Sequence, residues 1–145
     1  VKELIDAVSG FYPGIPPITK KDKVEMVEGD IILVEGVPSF FINQDMKLPL
    51  LKNILIHPVL LPQVAVDMGA IRFVTSGADV MRPGIVRIDD GVEKDGPVLI
   101  VDESHGKPLA LGKALYGAQE MRPMEKGKVV VVLHHVGDSL WNITL

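Results

Sequence analysis

Val66-Asp67-Met68-Gly69-Ala70-Ile71-Arg72-Phe73-Val74-Thr75-Ser76-Gly77-Ala78-Asp79-Val80-Met81-Arg82-Pro83-Gly84-Ile85 is the stretch on which the fold of this chain turns. It reads as the end of a strand, a short helix, then a Gly/Pro-rich turn, with small residues where backbones come close or bend sharply. In the helix, which opens near Met68, the residues Ala70, Ile71, Val74 and Ala78 form the buried face, while Arg72, Thr75 and Ser76 point elsewhere. Gly77 falls near the end of the helix, where a left-handed cap is often needed.

Outward from this stretch the pattern is one of short strands. Residues 63–66 precede it, and residues 84–88, 97–101, 109–114, 128–134 and 140–144 follow, each rich in Val, Ile or Leu and bounded by turn residues. Strands this short and this regularly interrupted predict a small barrel or sandwich. Pro62 marks a boundary, giving residues 63–145 as one domain and residues 1–62 as a smaller α+β unit. In that unit residues 2–9 read as a helix stopped at Gly10, and Pro13, Gly14, Pro16 and Pro17 force an extended loop. Residues 24–28, 31–35 and 39–42 read as an antiparallel meander, and residues 48–56 as a helix closed by Pro58. There is no internal repeat and no low-complexity segment.

With 145 residues and 47% hydrophobic composition, the chain can bury a real core. Cysteine is absent, which excludes disulfides and thiolate metal sites and fits an intracellular, cytoplasmic protein. No run is long enough to span a membrane as a helix, and none reads as a secretory signal. The net charge of −4 is a poor footprint for a nucleic-acid binder. The acids concentrate in Asp89-Asp90-Gly91-Val92-Glu93-Lys94-Asp95, however, so a local basic patch is compatible with an acidic whole.

The framework Gly69-Ala70, Gly77-Ala78 and Pro83-Gly84, followed by Lys107-Pro108-Leu109-Ala110-Leu111-Gly112-Lys113-Ala114 and Gly127-Lys128-Val129-Val130, resembles the signature of PUA domains, small RNA-binding β-barrels. The flanks extend the likeness. Phe11-Tyr12-Pro13-Gly14-Ile15, Leu48-Pro49-Leu50-Leu51 through His57-Pro58, and His134-His135-Val136-Gly137-Asp138-Ser139-Leu140-Trp141 resemble the malignant T-cell-amplified-sequence family of translation factors and its archaeal relatives. The resemblance implies an α+β fold: a small N-terminal α+β domain followed by a PUA-type β-barrel with short helices. It implies a protein without catalytic activity or cofactor, binding structured RNA (tRNA or rRNA). Its further implied partners are the small ribosomal subunit and an initiation-factor-like protein, with no DNA and no membrane. The cysteine pair of some eukaryotic members' N-terminal domains is missing, so no metal or redox role is carried over with it.

On this resemblance the RNA-binding candidates are Gly69, Arg72, Ser76, Arg82, Gly112, Lys113, Lys126 and Lys128. Gly69 and Gly112 would let the backbone meet RNA without side-chain collision, or serve only turns and packing. Arg72, Arg82 and Lys113 are phosphate-contact candidates, or solvated charges of the ordinary kind. Lys126 and Lys128 would extend the patch. Thr75 and Ser76 are candidates for hydroxyl contacts to sugar and base, or ordinary helix surface, and Met68 reads as helix surface. Aromatic residues are scarce, at 5%, which argues against a stacking sheet, and Phe40, Phe41, Phe73 and Trp141 are expected in the core.

Enzyme signals are weak. Asp102, Ser104 and His105 are triad residue types, but they crowd one loop, whereas a triad draws its members from separated elements. His134 and His135 are adjacent on a strand and face opposite ways, so they do not share a metal ion; one is expected packed and one exposed. Two other roles stay open beside RNA binding in translation initiation or recycling. One is an RNA-targeting accessory subunit of a tRNA or rRNA modification enzyme. The other is a protein-interaction module that has lost RNA binding.

Overall fold

Short runs of Val, Ile and Leu between turn residues fold here as expected, into a mostly β molecule with few short helices. The computed structural model describes residues 21–44, 46–57 and 61–143, and the helix expected at residues 2–9 lies outside them. The chain divides into two compact units between residues 60 and 61.

In the first unit, β1 (Val24–Val27), β2 (Ile31–Val34), β3 (Val37–Asn43) and β4 (Met46–Pro49) form an antiparallel meander in sequence order. Phe40 and Phe41 are buried, as expected. Helix α1 (Leu51–Ile56) is shorter than the helix expected at 48–56. Leu48 and Pro49 belong to β4, where they pair with Phe41 and Phe40. Burial beside two phenylalanines outweighs helical spacing, and Pro49 is tolerated because β4 is an edge strand. Asn53 Nδ2 donates to the Ser39 carbonyl and ties α1 to β3.

The second unit carries β5 (Gln63–Val66), α2 (Ile71–Val74), β6 (Val80–Met81), β7 (Ile85–Ile88), β8 (Pro97–Asp102), β9 (Pro108–Ala114), α3 (Ala118–Met121) and β10 (Lys128–His135). They form one six-stranded sheet in the order β6-β10-β9-β8-β5-β7. All its pairings are antiparallel except β5 with β8. The central strand β8 is a continuous buried run, while the edge strand β7 exposes Val86 and Arg87. Val64, Val66, Val98, Ile100, Met121 and Val130 lie at the centre of the core.

A tight turn at Arg82–Gly84 joins the two edges of the sheet and makes it barrel-like. The Arg82 N–H donates to the Gly127 carbonyl before β10, and the Gly84 carbonyl accepts the Asp67 N–H after β5. Three expectations are corrected. Residues 140–143 are turn rather than strand, because the Asp138 carboxylate accepts the Trp141 N–H and the Asp138 carbonyl accepts the Asn142 N–H. Trp141 is accordingly half-buried rather than in the core. The helix expected to run from Met68 towards Ala78 is regular only at Ile71–Val74.

Candidate functional site

The α2 region is short because its own polar groups take the backbone partners that a longer helix would use. The Asp67 carboxylate accepts the Ala70 N–H at 2.8 Å, fixing the start. Thr75 Oγ1 donates to the Ile71 carbonyl and Ser76 Oγ to the Phe73 carbonyl, both at 2.9 Å. Gly77 then adopts φ 93° and ends the segment, as expected of a left-handed cap. Val74 is buried and Ala70 and Ile71 half-buried, but Ala78 is exposed.

Phe73 departs from expectation most. It is 54% exposed, not core, and the Arg72 guanidinium lies 5.0 Å from its ring centroid. Met68 is 53% exposed nearby in the chain. Met68, Gly69, Ile71 and Arg72 line an open hollow of about 450 Å³. Apolar walls, a bare glycine and a cation stacked on a ring can hold a planar base or a sugar, with Arg72 free of any ion pair among the described residues.

The two candidate glycines separate cleanly. A Cβ on Gly112 would sit 2.5 Å from Val130 Cγ1 and 2.7 Å from the Val131 carbonyl oxygen, so packing between β9 and β10 demands glycine there. Gly112 is buried within the sheet and offers no backbone to a ligand. A Cβ on Gly69 would meet only Asp67 Oδ1, at an ordinary 3.5 Å, and Gly69 is exposed. The fold does not require glycine at 69.

The basic candidates divide in the same way. Arg82 is committed to the fold: Nε donates to the Met121 carbonyl, Nη1 to that of Ile85 and Nη2 to that of Arg122, at 2.9 to 3.1 Å. Three of its five donors thus bind the end of α3 to β7. Lys113 Nζ lies 3.7 Å from Asp95 in the β7–β8 loop, and Lys128 Nζ lies 3.0 Å from Asp79 Oδ2. Asp79 Oδ1 also accepts the Val132 N–H, across the irregular pairing of β10. Lys126 is exposed in the loop before β10, and Ser76 is exposed on the same short segment as Arg72. The structure therefore brings Gly69 and Arg72 together at the hollow, leaves Ser76 outside its lining with its hydroxyl on the Phe73 carbonyl, and leaves Lys113 with the acidic loop. Arg87 and Arg122 are likewise paired, with Asp89 and Asp90 of that loop.

Sequence reasoning missed the turn between β8 and β9, which abuts the hollow. Glu103 Oε1 accepts the Met68 N–H at 3.3 Å, and Ser104 Oγ donates to Met68 Sδ at 3.2 Å. Of the triad types, Ser104 bonds Met68 Sδ, and the His105 N–H donates to Asp102 Oδ1. Asp102 is buried and its carboxyl lies below the usual carboxylate range, chiefly because the His105 N–H donates to it.

At the far end of β10, His134 is 1% exposed and its Nδ1 lies 2.9 and 3.0 Å from the two Asp138 oxygens. Burial pushes the His134 imidazole below its ordinary value, against the pull of Asp138. Burial pushes the Asp138 carboxyl up, but His134 and the N–H groups of His135 and Trp141 outweigh it and hold it below the ordinary range. His135 is half-exposed. The described residues contain no cluster of three or more His, Cys, Asp or Glu placed to hold a metal ion, and no helix long and apolar enough to cross a membrane.

The PUA-domain family model matches residues 62–136. An uncharacterised protein of Methanocaldococcus jannaschii is 40% identical, over 98% of this chain and 90% of its own length. Translation machinery-associated protein 20 of Saccharomyces cerevisiae is 35% identical, over 88% of this chain and 76% of its own. Malignant T-cell-amplified sequence 1 of Rattus norvegicus is 31% identical, over 91% and 80%. Among solved structures, a hypothetical protein from Pyrococcus horikoshii superposes with a TM-score of 0.79 at 35% identity, covering 99% of this chain and 94% of that one. A PUA domain from Aeropyrum pernix superposes with a TM-score of 0.78 at 26% identity, covering 97% and 83%.

Proposed function

We propose that this chain, which belongs to the PUA-domain family among the relatives of translation machinery-associated protein 20 and malignant T-cell-amplified sequence 1, is a non-catalytic RNA-binding protein of the translation machinery. Its RNA is tRNA or small-subunit rRNA, bound in the cytoplasm during initiation or recycling, with an initiation-factor-like protein as a further partner. The observation that carries the reading is the hollow beside α2. It combines a glycine the fold does not need, a methionine left half in solvent, and an arginine that rests on the half-exposed Phe73 ring and has no ion pair among the described residues. Burying Met68 and Phe73 inside would have been favourable, so their exposure is a cost that contact with a ligand recovers. Neutralisation of acidic loop residues by Arg87, Arg122 and Lys113 explains how an acidic chain keeps a basic spot elsewhere.

The test is binding of the full chain to a tRNA transcript and to a small-subunit rRNA fragment, followed by fluorescence anisotropy between about 50 and 200 mM salt. Binding to one of them should weaken steeply with salt, as phosphate contacts release counterions. Arg72→Glu should weaken it by about tenfold or more, on the scale of one lost charge contact reversed in sign, with the melting temperature unchanged. Absence of binding to either RNA at the lowest salt would overturn the reading in favour of a protein-interaction module.

A further inference from the structure

The turn Glu103–Lys107 is exposed along its length, yet hydrogen bonds hold it at several points. Asp102 at its base is 6% exposed, and its carboxylate accepts the His105 N–H at 2.5 Å and the Lys107 N–H at 3.2 Å. The Asp102 carbonyl accepts the Gly106 N–H and the Asp102 N–H donates to the Lys107 carbonyl, both at 3.1 Å. The Glu103 N–H donates to the Val66 carbonyl at 3.0 Å, and the Glu103 and Ser104 side chains both hold Met68. Burying a carboxylate costs free energy, and here it is spent on ordering a loop whose outward groups are His105, with a side chain 81% exposed, and Lys107. Lys107 makes no ion pair among the described residues. An ordered loop of exposed donors binds a ligand at a lower entropic cost than a mobile one.

We propose that this turn is the second wall of the RNA site, with His105 and Lys107 contacting backbone phosphates of the strand that enters the hollow opposite Arg72. The inference rests on the RNA-binding reading above. The anion of the turn, Glu103, is directed to the Met68 N–H, and His105 Nδ1 lies 3.8 Å from Asp102 Oδ1, which leaves Nε2 of His105 and the ammonium of Lys107 as the groups offered to a ligand.

The experiment compares the wild-type chain with His105→Ala/Lys107→Ala and with Lys107→Gln alone, using a fluorescein-labelled tRNA transcript across the salt series. The double variant should bind about tenfold more weakly at low salt. The slope of log affinity against log salt should fall by about one in both variants, since each removes the Lys107 charge. Melting curves should match wild type, because neither side chain packs in the core. Unchanged affinity and slope in both variants, with wild type still binding, would overturn this inference and leave the RNA-binding reading intact. No binding by wild type would overturn both.

Discussion

Gly69 and Gly112 look equivalent as letters, and the physical chemistry around them is opposite. Gly112→Ala pushes a methyl into Val130 and a backbone carbonyl, so it should destabilise the chain by about 1–3 kcal/mol, the usual range for overpacking. Gly69→Ala meets nothing closer than 3.5 Å and should leave stability unchanged or raised by up to about 1 kcal/mol through the unfolded chain. RNA affinity should respond in reverse, with Gly69→Ala binding more weakly. Urea titrations and anisotropy on the two variants check both halves; a destabilised Gly69→Ala would remove the argument that this glycine is there for a ligand. The sequence shows both glycines but not what surrounds them, since the atoms that condemn a Cβ at 112 come from residues 130 and 131 on another strand. Arg82 carries the same lesson. Its charge is visible in the sequence, while the carbonyls of Met121 and Arg122 that absorb it lie about forty positions away.

At the scale of elements, strands were legible wherever local pattern and burial agree, as in β5, β8 and β9. They were not where a partner decides. Leu48 and Pro49 follow helical spacing but obey β3, and residues 140–143 have strand composition but obey Asp138. The Asp138 turn predicts a pH dependence. The folded state holds His134 below its ordinary 6.5, so it prefers the neutral ring. The stability linked to it is present above that value and is lost as pH falls through 6.5 and below. Asp138 and Asp102 lie below their ordinary 3.8, so their contribution persists to lower pH and is lost as pH falls under 3.8. All three act in one direction. Urea midpoints should fall between about pH 7 and pH 5, and fall again below about pH 4. His134→Gln should be less stable at neutral pH and lose the first of the two declines. A midpoint flat from neutral to pH 5 in the wild-type chain would contradict the placement of the neutral ring.

At the scale of the whole molecule, the two-unit division suggests an autonomous second domain, and we propose that residues 61–145 fold alone. That fragment contains all six strands of the larger sheet and its core, so it should give one cooperative urea transition. A broad transition or a precipitating fragment would argue that the first unit is part of its folding. The strand order sets a further condition on how the domain comes into being. Strand β6 pairs with β10 alone, and Val80 must wait for Val130, a residue made fifty positions later. Strand β5 must likewise hold for β8 before its parallel partner exists. A ribosome delivers this chain in the wrong order for closure: until β10 is released, β9 and β6 are left with unpaired edges. Strand β10 is the one that seals the sheet, so a chain stalled before Lys128 would expose edges suited to capture by chaperones or to aggregation.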